Sequence, residues 1–253
     1  MDTFGAVLGP SFALLYLYYH PGGYVSLFYI AFIPGLIAVA SSALLKEKKH
    51  SISKTPESKF STFSFMHYWK DSPLLYKKIC TALLVFALFN SADIFLLMKI
   101  KEAGVSDLKV IAVYIFYNLV YALAAYPIGK LSDEVGFKKV MINGLVLFAI
   151  VYAGFAFSKN VLLHYILSFL YGIYAASTEG VAKAWITNSV KMSDTATAVG
   201  TFTAFQSICA LFASSITGFI WWQYGSVAAL TTTAAGAILA LFLLLRIGNK
   251  TGS

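Results

Sequence analysis

Long uncharged runs, separated by short polar gaps, organise this chain. They extend over 3–19, 24–45, 79–98, 110–129, 140–158, 161–178, 195–220 and 225–245. Each approaches or exceeds the about 20 apolar residues that carry a helix across a hydrocarbon core roughly 30 Å thick. Within the runs the apolar residues fall on every helical face and do not alternate, which excludes a membrane β-barrel. Asp93 alone places a charge inside a run, while Glu179 closes the sixth run and Lys183 follows one turn later. The pattern predicts an all-α, polytopic membrane protein with eight transmembrane helices.

Composition agrees with a lipid environment. Of the 253 residues, 59% are hydrophobic and 12% charged, against about 45–50% and about 25% in soluble domains. Soluble globular and disordered chains are thereby excluded. A net charge of +8 on a soluble chain would point to nucleic acid, because clustered Lys and Arg neutralise phosphates. Here the charge is sorted by loop. The gaps 46–78, 130–139, 183–194 and 246–253 hold 15 of the 19 basic residues, and the gaps 20–23, 99–109, 159–160 and 221–224 hold the other 4. The positive-inside rule then places both termini and the long 46–78 loop in the cytoplasm. This predicts a multi-pass integral protein of the inner or plasma membrane, with the lipid bilayer and no nucleic acid as partner. Tyr68, Trp69, Trp221, Trp222 and Tyr224 fall at run ends, where amphipathic rings anchor at head-group level. Cys80 and Cys209 lie 129 residues apart with no His at metal-ligand spacing, so two free thiols are expected, and neither a metal nor a cofactor.

Residues 46–78 are the one break in composition, with eight Lys, six Ser and two Pro, and read as a flexible polar linker. Two runs precede it and six follow. Between the fourth and fifth runs stands Gly129-Lys130-Leu131-Ser132-Asp133-Glu134-Val135-Gly136-Phe137-Lys138-Lys139-Val140. Gly129 and Gly136 permit a reversal through positive φ, and Lys130, Lys138 and Lys139 hold the turn on the cytoplasmic side. This stretch resembles the cytoplasmic loop motif of the major facilitator superfamily, G-x-L-x-D-x-x-G-x-K/R-K/R. Gly5-Ala6-Val7-Leu8-Gly9-Pro10 is similar to the G-x-x-x-G-P stretch on the fifth helix of many facilitators. There Gly5 and Gly9, four apart, would let helices approach closely, and Pro10 would bend one of them.

The resemblance implies that the eight runs are the last eight helices of a twelve-helix facilitator. Residues 1–46 would be the last two helices of the N-terminal bundle, 47–78 the central cytoplasmic loop and 79–253 the C-terminal six-helix bundle. It implies that the first four helices are lacking, that Met1 is an internal methionine, and that these 253 residues alone are a truncated, transport-incompetent fragment. It also implies that Asp133 contacts the cytoplasmic end of a helix in the other bundle, near Asp2 and Thr3.

An ionisable side chain at membrane depth is costly unless it is paired or faces a wet cavity, and so marks a functional candidate. Asp93, in Asn90-Ser91-Ala92-Asp93, is either a proton-titrating or substrate-contacting carboxylate or a structural acid bonded to a neighbouring helix. Glu179 and Lys183 have the spacing of an i,i+4 ion pair. Tyr114, Tyr117, Asn118 and Tyr121 recur at i, i+3, i+4 and i+7 and share one helical face. By resemblance that helix lines the central pathway, where Asn118 and Gln206 would hydrogen-bond a substrate, Asn90 would line the cavity and the tyrosines would form aromatic walls. The alternative is that these polar groups hold helices together. His164 is expected at the interface. No catalytic triad, phosphate-binding loop or metal cluster appears in the sequence, so an enzyme is not expected. Two classes remain: a secondary transporter moving a small-molecule substrate, driven by an ion gradient such as protons, and a non-transporting membrane scaffold or receptor derived from one.

Overall fold

The computed structural model describes residues 2–43 and 64–247, with side chains over 5–41 and 68–247. The described residues form α1 (Asp2–Tyr19), α2 (Tyr24–Ala43), α3 (Ser64–Asp71), α4 (Leu74–Ala87), α5 (Ile94–Glu102), α6 (Asp107–Val135), α7 (Phe137–Phe157), α8 (Val161–Asn188) and α9 (Thr195–Arg246), with a single 3-10 turn at Met192–Asp194. Helices dominate because hydrocarbon offers no water to a free N–H or C=O, and a helix satisfies both within one segment. Five stretches among the described residues are long and apolar enough to cross a membrane: Tyr24–Ser41, Asp107–Val135, Phe137–Phe157, Val161–Asn188 and Met192–Arg246.

Hydrogen bonds fix the course of the last helix. The Tyr76 hydroxyl, near the start of α4, donates to Ala198 O at 2.9 Å. Lys99, near the end of α5, donates to Ser226 Oγ at 2.7 Å. Lys138, at the start of α7, donates to Leu245 O at 3.4 Å and Ile247 O at 2.5 Å. Met141 and Phe202 line one cleft, so the starts of α7 and α9 lie at the same end of the bundle. α9 therefore runs from this motif end to the opposite end and back. It reverses at Gly225, whose φ of 87° and ψ of 171° fall where a Cβ would clash. The seventh and eighth runs are two antiparallel arms of one element.

The third run departs from expectation. In place of one helix over 79–98, α4 ends at Ala87 and α5 starts at Ile94. The side chains of Asn90, Ser91 and Asp93 offer the backbone alternatives to the helical ladder, and neighbouring helices take up the freed groups, as shown below. The 46–78 linker also shortens. Ser64–Asp71 is helical and α4 begins at Leu74 rather than residue 79, because Trp69 packs edge-on against Tyr76 at 6.1 Å and Phe205 at 5.5 Å. Tyr68 likewise meets Tyr76 at 5.6 Å, so this partly buried aromatic pair packs against the core. Trp222 and Tyr224 are exposed at the opposite end. The remainder of the linker, 44–63, lies outside the described residues.

The interior packs around Tyr76, Phe148, Tyr152 and Phe155, all fully buried, with Phe86 against Phe148 at 5.0 Å and Phe148 stacked on Tyr152 at 4.1 Å. Helices meet where a side chain is missing. A Cβ on Gly144 would stand 2.8 Å from Thr178 Cγ2, one on Gly154 2.8 Å from Leu167 Cδ2, and one on Gly172 2.6 Å from Tyr117 O. These are the α7–α8 and α6–α8 crossings, and small residues there replace the hydrophobic drive that lipid removes. Gly5 and Gly9, expected in this role, have nothing within 4 Å of a built Cβ; Gly9 borders open apolar grooves beside α1. Pro10 sits inside α1, which continues to Tyr19. Both cysteines are free thiols.

Gly172→Ala drives its methyl group into backbone that cannot rotate away, and should cost about 1–3 kcal/mol of stability. Gly200→Ala, at an open site, should be neutral or stabilise by up to about 1 kcal/mol. Thermal unfolding in detergent compares the two; equal midpoints would remove the α6–α8 crossing from this account.

Candidate functional site

The break between α4 and α5 is the centre of the site. Asn90 N–H still reaches back to Phe86 O at 2.9 Å, and Phe95 N–H begins the new helix on Ala92 O at 3.2 Å. Between them Ala92 N–H donates to Ser214 Oγ at 3.2 Å, and the Tyr152 hydroxyl lies 3.5 Å from Ser91 O. Phe89 packs onto Gly236, where any Cβ would overlap its ring. Both arms of α9 and α7 thus hold the non-helical segment. Asp93 takes the N-cap position of α5 with helical φ and ψ of −60° and −17° and no capping hydrogen bond from its side chain. Its carboxylate instead accepts the Tyr117 hydroxyl proton of α6.

The expected polar face of α6 divides. Tyr117, Asn118 and Tyr121 line a cleft of about 330 Å³ together with Asp93, Tyr171, Glu179 and Lys183. Tyr114 turns into a separate groove beside Lys101 and Asp107, and its carbonyl accepts Asn118 Nδ2 at 2.9 Å. Asn90 and Gln206 line a second cleft of about 180 Å³. Glu179 and Lys183 border both clefts. The seven expected cavity residues therefore gather around one stretch of α8, except Tyr114.

Glu179 and Lys183 do not form the expected ion pair. Among the described residues the ion pairs are Lys99–Glu102, Lys101–Asp107 and Lys130–Glu134, and both cleft side chains are exposed. An exposed i,i+4 pair contributes only about 0.3–0.5 kcal/mol, too little to hold two flexible chains together against solvation.

A tyrosine wall absent from the sequence-based reading backs the cleft. Tyr117 meets Tyr171 edge-on at 5.1 Å and 89°, and Tyr171 meets Tyr174 at 5.3 Å. One signal was available: Tyr171, Glu179 and Lys183 are spaced by eight and four on one helix, a stripe of polar tips on one face.

The 129–140 stretch is mostly helix. α6 continues through Val135, and Gly136 alone makes the turn, at φ 97°. Gly129 is helical and borders a small groove with Asp133 and Gly180. Lys130 lies 3.9 Å from Glu134, Lys139 is exposed, and Lys138 caps the carbonyl end of α9, where the helix dipole favours a cation. The side chains of Asp2 and Thr3, expected near Asp133, lie outside the described residues.

The opposite end is closed by polar contacts. Asp107 accepts from Tyr24 of α2 at 3.1 Å and from Lys101 at 2.8 Å, and the Asp107 carboxylate raises the Lys101 pKa above its ordinary value. Buried Lys99 bridges Glu102 and Ser226. His164, expected at the interface, is buried, stacked on Phe155 at 5.0 Å with Nε2 3.2 Å from Ser158 O. Asn160 caps α8 by accepting from Leu162 N–H, which draws the His164 turn against the end of α7.

With this geometry in hand, the Major Facilitator Superfamily model matches residues 95–252. The chain belongs to the major facilitator superfamily. It is 30% identical over 255 residues to an uncharacterized MFS-type transporter of Methanocaldococcus jannaschii, covering 96% of this chain and 61% of that protein. The fold also resembles the crystal structure of the human organic anion transporter MFSD10 (TETRAN), with a TM-score of 0.58 at 16% identity over 76% of this chain and 43% of the other. The chain thus spans about three-fifths of the facilitator relative it matches. Members of this superfamily are integral membrane transporters, which accords with the apolar helices described above.

Lys138→Ala should free the end of α9 in this facilitator, costing about 0.5–2 kcal/mol. Hydrogen exchange over 240–247 reads the effect, and Lys138→Arg should restore protection. Unchanged exchange in the alanine variant would reduce Lys138 to a topological charge.

Proposed function

We propose that the protein is a secondary transporter for a small solute, that the two clefts bordered by Glu179 and Lys183 receive the solute, and that protonation of Asp93 couples its movement to a proton gradient. One observation carries this reading: a carboxylate stands at a helix break, hydrogen-bonded by Tyr117 and lining the larger cleft. Broken helices at membrane depth are tolerated where they line a cavity, and such breaks form solute and ion sites in transporters. An acid held there without use would be expensive.

The same reading counts eight crossings, corresponding to the last eight helices of a twelve-helix facilitator. α4 and α5 cross together as the third, and the two arms of α9 are the seventh and eighth. Residues 1–46 then belong to one bundle and 79–253 to the other, joined by 47–78. The motif end, which carries most of the basic residues, faces the cytoplasm together with both termini. The closed Tyr24–Asp107–Lys101 end faces outward.

Asp93→Asn keeps the side-chain shape and removes the titrating group. Solute-dependent proton movement, followed with a pH-sensitive dye in proteoliposomes of the full-length protein across a panel of small solutes, should vanish in this variant while insertion stays intact. Wild-type rates in Asp93→Asn would make the residue structural, and no uptake of any solute by the wild type would favour the scaffold or receptor reading. A cysteine at position 191, in the exposed α8–α9 connection, should react only with permeant reagents in intact cells. Labelling by an impermeant reagent from outside would invert the topology.

A further inference from the structure

The charges in the cleft are arranged as two poles. Glu179 and Lys183 are exposed one turn apart on α8, line both clefts, and do not pair with each other. The larger cleft also holds Asp93 and the crossed rings of Tyr117 and Tyr171, which suit a cationic group, since a ring face attracts a cation. The smaller cleft also holds the amides of Asn90 and Gln206, which with the lysine suit an anionic group.

We propose, resting on the reading of this cleft as a solute site, that the solute is a small zwitterion. Its cationic nitrogen lies between Glu179, Asp93 and the tyrosine faces, and its acid group lies on Lys183 and the amide of Gln206. The physical reason is charge balance: once a solute displaces water from the clefts, each of the two charges needs a counter-charge. With Asp93 protonated, the loaded state of the coupling reading, a zwitterion neutralises Glu179 and Lys183 together and leaves the site without net charge. A simple cation leaves Lys183 uncompensated, and a simple anion leaves Glu179. The poles are separated by about 6 Å of helical rise, which fits a solute with a short spacer between its charges. Cleft volumes of about 330 and 180 Å³ agree with a molecule of that size.

Three probes of nearly equal shape test the charge rule: glycine betaine carries both charges, choline the cation only and 3,3-dimethylbutyrate the anion only. Their effect on the unfolding midpoint of the purified full-length protein is measured at matched ionic strength. Glycine betaine should bind about tenfold or more tightly than either single-charge probe, the ratio that the loss of one charge contact of about 1.4 kcal/mol gives. Lys183→Gln should move the preference to choline, and Glu179→Gln to 3,3-dimethylbutyrate, a reciprocal exchange that a structural role for the two residues would not produce. A single-charge probe binding the wild type as well as glycine betaine, no shift with any probe, or the same change for all three probes in both variants would overturn the proposal. Proton coupling fails separately: wild-type proton movement in Asp93→Asn with the charge exchange intact sinks the coupling role and leaves the zwitterion.

Discussion

Backbone that leaves a helix inside a membrane must find its hydrogen bonds in protein, and the break over residues 88–93 sets that demand for the rest of the bundle. Its backbone is answered by the Ser214 hydroxyl on α9 and the Tyr152 hydroxyl on α7, while the Tyr117 hydroxyl on α6 bonds the Asp93 carboxylate. Each donor or acceptor sits on a different helix, so the break can persist only while those helices stand in register. In hydrocarbon an unmet group would cost several kcal/mol, far more than the local preference of Asn90, Ser91 or Asp93 for non-helical backbone. The segment is thus held open by its surroundings, and its carboxylate is aimed at a cleft as a consequence.

Register in turn depends on missing side chains. Gly144, Gly154 and Gly172 bring α7 and α6 onto α8 at distances that a methyl group would forbid, and Gly236 receives the ring of Phe89. The α6–α8 contact at Gly172 meets the carbonyl of Tyr117 itself, the residue that bonds Asp93. One glycine on α8 therefore sets the depth at which the tyrosine hydroxyl reaches the carboxylate. The stacked aromatic interior, from Phe86 through Phe148 to Tyr152, fills the space behind the break and keeps it on the cleft side.

The two ends of the bundle differ in kind. At the opposite end Asp107 ties α2 to α6 and α5, and buried Lys99 ties α5 to the α9 reversal. At the motif end Lys138 holds the last carbonyls of α9, while Glu179 and Lys183 stay open to the clefts. Charge is paired where the bundle is closed, while in the clefts solvation lets Glu179 and Lys183 stand apart.

Much of the architecture could be read in the chain. Uncharged runs of membrane length produced helices at the places marked for them, since lipid leaves the backbone no cheaper structure, and the 129–140 stretch pointed to the facilitator superfamily. Asp93, Tyr117, Asn118 and Glu179 were legible as candidates because polar groups are conspicuous in an apolar sequence. Their relations were not. The division of the third run, the turn of Tyr114 away from the cleft, the failure of Glu179 and Lys183 to pair, and the wall of Tyr171 and Tyr174 depend on contacts between residues far apart in sequence. Gly5 and Gly9 carried the small-residue spacing yet meet open space, whereas Gly172, in the series Ser168, Gly172, Ala176, Gly180 and Ala184 with the same spacing of four, makes the close crossing of α6 and α8. Periodicity reports what one helix offers to its surroundings, and only the packed bundle decides which neighbour takes it.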